Sequence, residues 1–109
     1  MSMLSEIWIV EPLEGKTKSE QRARLIAWRD QFMSEGVRSV SIYEGGYGRF
    51  EGSWVFSINH ESAEDWGRMQ DKYGREPETF DTVLESWQSE PVLKITSAGI
   101  LHHDDALSS

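Results

Sequence analysis

Apolar and polar positions recur with a period that changes along the chain, and each change indicates a new structural element. Leu4–Glu11 contains the run Ile-Trp-Ile-Val, which predicts a strand with apolar side chains on both faces. Over Lys16–Glu35 the period becomes helical, with Leu25, Trp28 and Phe32 spaced as one face of an amphipathic helix. The chain is therefore expected to begin with a strand followed by a helix.

Two alternating segments on either side of a glycine-rich stretch predict a β-hairpin. Val37–Tyr43 and Ser53–His60 each have one face of bulky side chains and one face of smaller, more polar ones. The intervening Glu44–Gly52 contains four glycines, which permit positive φ angles. We interpret this stretch as the hairpin tip, and a mobile lid over a pocket is the alternative.

Helical spacing returns after the hairpin, and a final strand follows. Ser62–Tyr73 begins with a good helix-capping residue, Pro77–Ser89 is a second amphipathic stretch, and Val92–Leu101 reads as a strand. His102–Ser109 is expected to be a frayed polar tail. The order β-α-β-β-α-β predicts one α+β domain over residues 1–109 with a ferredoxin-like fold, a four-stranded antiparallel sheet with its helices on one face.

Charge and composition exclude several classes of partner. The 109 residues carry a formal net charge of −8, which repels nucleic-acid phosphates and anionic lipid surfaces. Phe50–Phe56 is similar to the aromatic strand of RNA-recognition domains, but Arg49 alone adds positive charge beside it. Together with the net charge, this means that neither nucleic acid nor membrane is an expected partner. The chain has no cysteine and no apolar run long enough to span a membrane, which is typical of a cytoplasmic protein. The donors in His102–Asp105 are consecutive and rarely converge on one ion, so no metal or other cofactor is predicted.

A sheet with helices on one face leaves the other face to be covered in another way. The first strand is apolar on both sides. The last strand also carries apolar residues on two faces, namely Leu93, Ile95 and Leu101 opposite Val92, Ala98 and Ile100. An uncovered apolar sheet face usually marks an interaction surface, and the economical cover is a second copy packed about a two-fold axis. We therefore expect a homodimer.

From Glu6 to about Leu101, the chain resembles the dimeric α+β barrel superfamily in element order, split second helical region and apolar last strand. That group includes antibiotic-biosynthesis-type monooxygenases, haem-degrading enzymes, and EthD-like and NIPSNAP-like proteins. The haem-degrading branch relies on an Asn, a Trp and a helix-borne His, whereas Asn59 and His60 are adjacent near a strand end, so haem degradation is not expected. The resemblance implies a homodimeric α+β barrel and gives a list of possible functions without choosing among them. The many wide aromatic side chains favour a small apolar or aromatic ligand, and no cofactor is expected.

Five residues are candidates for the small-molecule site. His60 is a candidate general base near neutral pH, with a strand-end cap as the alternative. Tyr43, the second catalytic candidate, and Asn59 would either contact the ligand or form a satisfied polar network. Trp54 and Trp66 would supply apolar walls, and core packing is their alternative. Two hypotheses follow: a monooxygenase-like or isomerase-like enzyme, and a non-catalytic binding or interaction module in which these residues serve stability.

Overall fold

The computed structural model describes residues 3–75 and 90–104, and within them the chain forms four strands and two helices. In chain order these are β1 (Leu4–Pro12), α1 (Lys18–Ser34), β2 (Ser39–Glu44), β3 (Trp54–His60), α2 (Ala63–Arg75) and β4 (Leu93–His102). The predicted α+β class is confirmed, and the strand order β2-β3-β1-β4, antiparallel at every pairing, is compatible with a ferredoxin-like fold. The amphipathic stretch 77–89 lies outside the described residues.

Side-chain hydrogen bonds define where both helices begin. Thr17 precedes α1, and its hydroxyl accepts the backbone N–H of Glu20 at 3.1 Å. The helix therefore begins at Lys18, two residues after the expected start at Lys16. The predicted cap of α2 is confirmed, because the Ser62 hydroxyl accepts the backbone N–H of Asp65 at 3.2 Å. The same hydroxyl lies 3.4 Å from the Asp65 carboxylate. Both helix starts are therefore specified by local sequence.

The core lies between the sheet and the two helices. It contains alternate residues of the strands together with the apolar faces of the helices, including Val10, Leu25, Trp28, Phe32, Trp54, Phe56, Ile58 and Met69. Phe56 is fully buried, and its ring lies 5.5–6.0 Å from the rings of Trp8, Trp28 and Phe32. Aromatic pairs at such distances add to the stabilisation from burial alone. This aromatic cluster holds α1 against the centre of the sheet.

The opposite face of the sheet, here called the open face, bears no described helix. The strand registers place three rows of residues across it. From β4 to β2 the rows are Leu101, Ser5, Asn59 and Ser39; then Gly99, Ile7, Ser57 and Ser41; then Ser97, Ile9, Val55 and Tyr43. One end of the open face is thus polar and built from small side chains, and the other end is apolar.

The hairpin tip between β2 and β3 requires glycine at one position. A Cβ on Gly45 would lie 1.7 Å from the carbonyl oxygen of Phe50. The Gly45 N–H donates to the Ser53 carbonyl at 2.8 Å, and the Ser53 N–H donates to the Phe50 carbonyl at 2.9 Å. The tip is therefore closed by backbone hydrogen bonds that leave no room for a side chain at Gly45.

Two expectations for the end of the chain are wrong. Opposite Ile9 and Val10 the register of β4 passes from Ser97 to Ile95, a β-bulge that leaves one extra residue. Ile95 therefore shares the helix-side face with Ile100 and not the face of Leu101. The strand also extends through His102, which pairs with Leu4. The His103 N–H then donates to the Met3 carbonyl at 2.8 Å. The first part of the expected tail is therefore held by hydrogen bonds at the start of the chain.

Candidate functional site

His60 lies at the end of β3 on the side of the sheet that faces the helices. Only 4% of the residue is exposed, and it continues the buried row formed by Trp54, Phe56 and Ile58. No residue in the described part of the chain makes a hydrogen bond to its ring, and the strand-end cap considered from the sequence is not formed. The imidazole lines two adjoining spaces, an inner cavity and an outer cleft.

The inner cavity is a small space between the sheet and α2 with a volume of about 180 Å³. It is lined by Glu6, Trp8, Phe32, Ile58, His60, Met69 and Gln70. Most of this lining is apolar, and its polar groups are few and close together, which is the usual composition of a small-molecule site. An apolar cavity of about 150 Å³ holds one benzene ring, so the space suits a single ring.

Glu6 is the acidic group of this cavity, and the sequence reasoning did not select it. Its two carboxylate oxygens accept hydrogen bonds from two indoles, Trp8 Nε1 at 2.8 Å and Trp66 Nε1 at 3.0 Å. These contacts tie α2 to β1 and fix the orientation of the carboxylate. The available signal was positional: Glu6 falls on the same face of β1 as Leu4, Trp8 and Val10, where a charged residue is unexpected.

Burial lowers the pKa of His60 below its ordinary value of about 6.5, and the negative charge of Glu6 acts in the opposite direction with a smaller effect. The imidazole is therefore neutral at pH 7 and has a lone pair available to accept a proton. A neutral imidazole near a carboxylate in an apolar space can act as a general base. The carboxylate would stabilise the imidazolium that forms.

The lowered pKa of His60 predicts a loss of stability in mild acid. The unfolded chain binds a proton at His60 near pH 6.5, whereas the folded chain resists it until lower pH. The contribution is therefore fully present above about pH 6.5, falls with pH below that value, and stops changing below the folded pKa. Urea unfolding measured between pH 7.5 and 5 should show a smaller loss in His60→Gln than in the wild type. His102→Gln removes an exposed imidazole and should leave the wild-type loss unchanged; equal losses in all three proteins would contradict the assignment.

The outer cleft is larger and charged, with a volume of about 490 Å³. Besides Gly36, His60 and Met69, its lining consists of three acidic and three basic residues, namely Glu35, Glu61 and Asp65 with Arg38, Arg68 and Lys72. They form three ion pairs: Lys72 with Glu35, Arg68 with Asp65, and Arg38 with Glu61 at 3.3 Å. The two arginine pairs are solvent-exposed on at least one side, whereas the Glu35 side chain is buried.

The structure places Tyr43 and Asn59 on the open face, away from His60. Asn59 is buried, and its amide is saturated: Oδ1 accepts from Ser5 and Ser57 at 2.7 Å each, and Nδ2 donates to Ser39 and Ser41 at 3.1 Å each. Tyr43 is 57% exposed at the other end of the same face. These two candidates therefore do not share a space with His60.

The two tryptophan candidates differ in their surroundings. Trp66 reaches the inner cavity's acid through its hydrogen bond to Glu6, whereas Trp54 lies at the opposite end of β3 and donates to Gln21 Oε1 at 2.9 Å.

Among residues 3–75 and 90–104, no three metal-ligating side chains form a group and no helix has the length and apolar character to cross a membrane. Comparisons with models of known protein families, with curated proteins and with solved structures find no match to this chain.

Proposed function

We propose that the protein is a homodimeric enzyme that binds a small apolar or aromatic molecule in the inner cavity and transfers a proton on it through His60. The observation that carries the proposal is His60 itself, a buried imidazole at an apolar cavity beside Glu6. A core histidine usually has its ring nitrogens engaged by neighbouring groups, because unpaired buried polar groups are costly. Among the described residues none makes a hydrogen bond to this ring, which leaves its nitrogens available to a bound molecule within that part of the chain.

The reaction supported best is an isomerisation by proton transfer. The neutral imidazole removes a proton from the carbon that lies between a carbonyl group and a C=C double bond, and the C–H electron pair becomes part of a conjugated dienolate. The imidazolium then returns the proton to the far carbon of the former double bond, so the double bond moves next to the carbonyl group, the enzyme ends unchanged and no co-reactant is consumed. We prefer this isomerase-type activity to a cofactor-independent monooxygenase because the side chains of the cavity supply acid–base chemistry.

The homodimer is supported by the open face. Ile7, Ile9 and Val55 form an apolar strip beside Tyr43, and no described element covers it. A second copy related by a two-fold axis would pack strip against strip, and two sheets facing one another would form an α+β barrel. In this arrangement Tyr43 and Asn59 belong to the interface, and the inner cavity stays within each subunit.

The second candidate is a non-catalytic binding or interaction module, and the Asn59 network favours it. An amide whose donors and acceptors are all satisfied by four serines has no hydrogen bond to offer a ligand. In that case the open face would be a rigid assembly surface, and substitutions at His60 or Tyr43 would change stability without changing the affinity for any small molecule.

Native mass spectrometry of freshly purified protein tests the proposal first. One chain has a mass of 12.5 kDa, so twice that mass, about 25 kDa, is expected for the dimer. A reproducible small-molecule adduct on the wild type would identify a ligand, which His60→Gln should bind but no longer convert. Tyr43→Phe, on the open face, should convert it at the wild-type rate. A monomer would contradict the dimer, and conversion by His60→Gln at the wild-type rate would contradict the role of His60.

A further inference from the structure

The inner cavity and the outer cleft adjoin at His60. Both His60 and Met69 line the two spaces. A molecule bound in the inner cavity would therefore reach the outer cleft past the imidazole. Its apolar part would lie among Trp8, Phe32 and Ile58, and whatever it carries at its other end would lie among charged side chains.

Two arginines of the outer cleft have more unused hydrogen-bonding capacity than two of its acids, Glu35 and Asp65. Glu35 is held by Lys72 and also accepts from Gln31 Nε2 at 3.2 Å. Asp65 pairs with Arg68 and is also close to the Ser62 hydroxyl at the start of α2. Glu35 and Asp65 are thus each engaged by more than one group, whereas Glu61 pairs with Arg38 alone among the described residues.

Arg38 and Arg68 each have more N–H donors than their one described acidic partner uses. A guanidinium has five N–H donors, and each of these arginines has one acidic partner in the described part of the chain. Their side chains are 51% and 67% exposed, and exposed ion pairs contribute little, typically less than about 1 kcal/mol. A ligand carboxylate can therefore recruit both arginines at small cost, and guanidinium binds carboxylate in a favourable paired geometry. The overall negative charge of the chain is screened beyond about 8 Å at physiological salt.

We infer that the ligand is an amphipathic unsaturated keto acid, in which a single ring is joined to a carboxylate by a short chain that carries a ketone carbonyl and a C=C double bond. The ring occupies the inner cavity, the carboxylate is bound by Arg38 and Arg68, and the connecting carbons lie at His60. This inference rests on the proposed function and names the substrate class for it. It also explains why the imidazole stands at the junction: the proton that moves belongs to the chain between ring and carboxylate.

Two small probes with the same ring and chain length test the charge requirement, 3-phenylpropanoate and the neutral 3-phenylpropan-1-ol. Binding is followed by the indole N–H signals of ¹⁵N-labelled protein. Trp8 and Trp66 donate to Glu6 and report on the inner cavity, and Trp54, at the far end of β3, is the reference. The acid should shift the Trp8 and Trp66 signals and bind about tenfold more tightly than the alcohol, as expected for a charge-assisted hydrogen bond.

Paired variants identify the residues responsible. Arg38→Gln/Arg68→Gln should weaken binding of the acid about tenfold and leave the alcohol unaffected. Arg22→Gln/Arg29→Gln changes the net charge equally in a different surface depression and should leave both affinities unchanged. An unshifted Trp54 signal verifies the fold of Arg38→Gln/Arg68→Gln. Since Arg22 and Arg29 line the same depression as Trp54, the fold of the control variant is verified by unshifted Trp8 and Trp66 signals in the absence of a probe.

The outcomes separate the two proposals. Equal affinities for acid and alcohol, or an acid affinity unaffected by the Arg38/Arg68 substitutions, would overturn the inference while leaving the inner cavity as the binding site. If neither probe shifts Trp8 or Trp66 at millimolar concentration, both the inference and the inner cavity as a site for such molecules are overturned.

Discussion

Phe56→Ala is expected to lower the free energy of unfolding by about 3–5 kcal/mol, which is the usual cost of removing a buried phenylalanine ring. Phe56 is fully buried at the centre of β3 and contacts three other aromatic rings, so neighbouring side chains have little freedom to fill the space. Since small domains are typically stable by about 5–15 kcal/mol, this single substitution should remove a large share of the free energy of unfolding. Urea denaturation followed by tryptophan fluorescence measures the effect.

Phe50→Ala is the matched control for this prediction. The same ring is removed from the hairpin tip, where Phe50 is 45% exposed and contributes its backbone carbonyl to the turn. A surface substitution of this kind should change the unfolding free energy by no more than about 0.5 kcal/mol. Comparable losses in the two variants would contradict the assignment of Phe56 as the centre of the core.

The parts of the fold that follow from local periodicity could be predicted from the sequence. The alternation in β3 places Trp54, Phe56 and Ile58 on the buried side, and the helical spacing of Leu25, Trp28 and Phe32 gives the buried face of α1. Each depends on side chains a few residues apart, and the period alone determines which of them share a face. The cap of α2 at Ser62 was predictable for the same reason.

Features that depend on pairing between distant segments could not be predicted in this way. The β-bulge of β4 is defined against Ile9 and Val10 of β1, which are more than eighty residues away along the chain, and it moves Ile95 to the other face of the strand. Strict alternation within β4 contains no sign of it. The saturated network of Asn59 likewise draws its serines from three strands.

The candidate residues lie on two different faces of the sheet, and the reason is simple. Adjacent residues of a strand point to opposite faces, so Asn59 and His60 were never able to contact the same ligand within one subunit. The acidic residue that lies near His60 is Glu6, which is fifty-four residues away along the chain. Only the pairing of β1 with β3 brings the two together.

Glu6→Leu is expected to lower the free energy of unfolding by about 2–4 kcal/mol, although it places an apolar residue on the core-facing side of β1. The substitution leaves the indole N–H groups of Trp8 and Trp66 without an acceptor in a half-buried setting, at roughly 1–3 kcal/mol for each fully buried donor. Glu6→Gln retains one oxygen and should therefore cost less than Glu6→Leu. Glu51→Leu, at the exposed hairpin tip, should stay within about 0.5 kcal/mol of the wild type.

A double-mutant cycle with Trp66→Phe separates the lost hydrogen bond from other effects of the leucine. Trp66→Phe removes the donor that Glu6 binds at 3.0 Å, so its cost should be smaller in the Glu6→Leu background than in the wild type. A coupling free energy of about 0.5–3 kcal/mol is the range for residues in direct contact. If the two substitutions are additive, Glu6 does not hold α2 through Trp66, and the carboxylate beside His60 would have to be positioned by Trp8 alone. Because Glu6 raises the pKa of His60 in the folded chain, its removal should lower that pKa further. The acid-dependent loss of stability should then still begin near pH 6.5, become larger and continue to a lower pH.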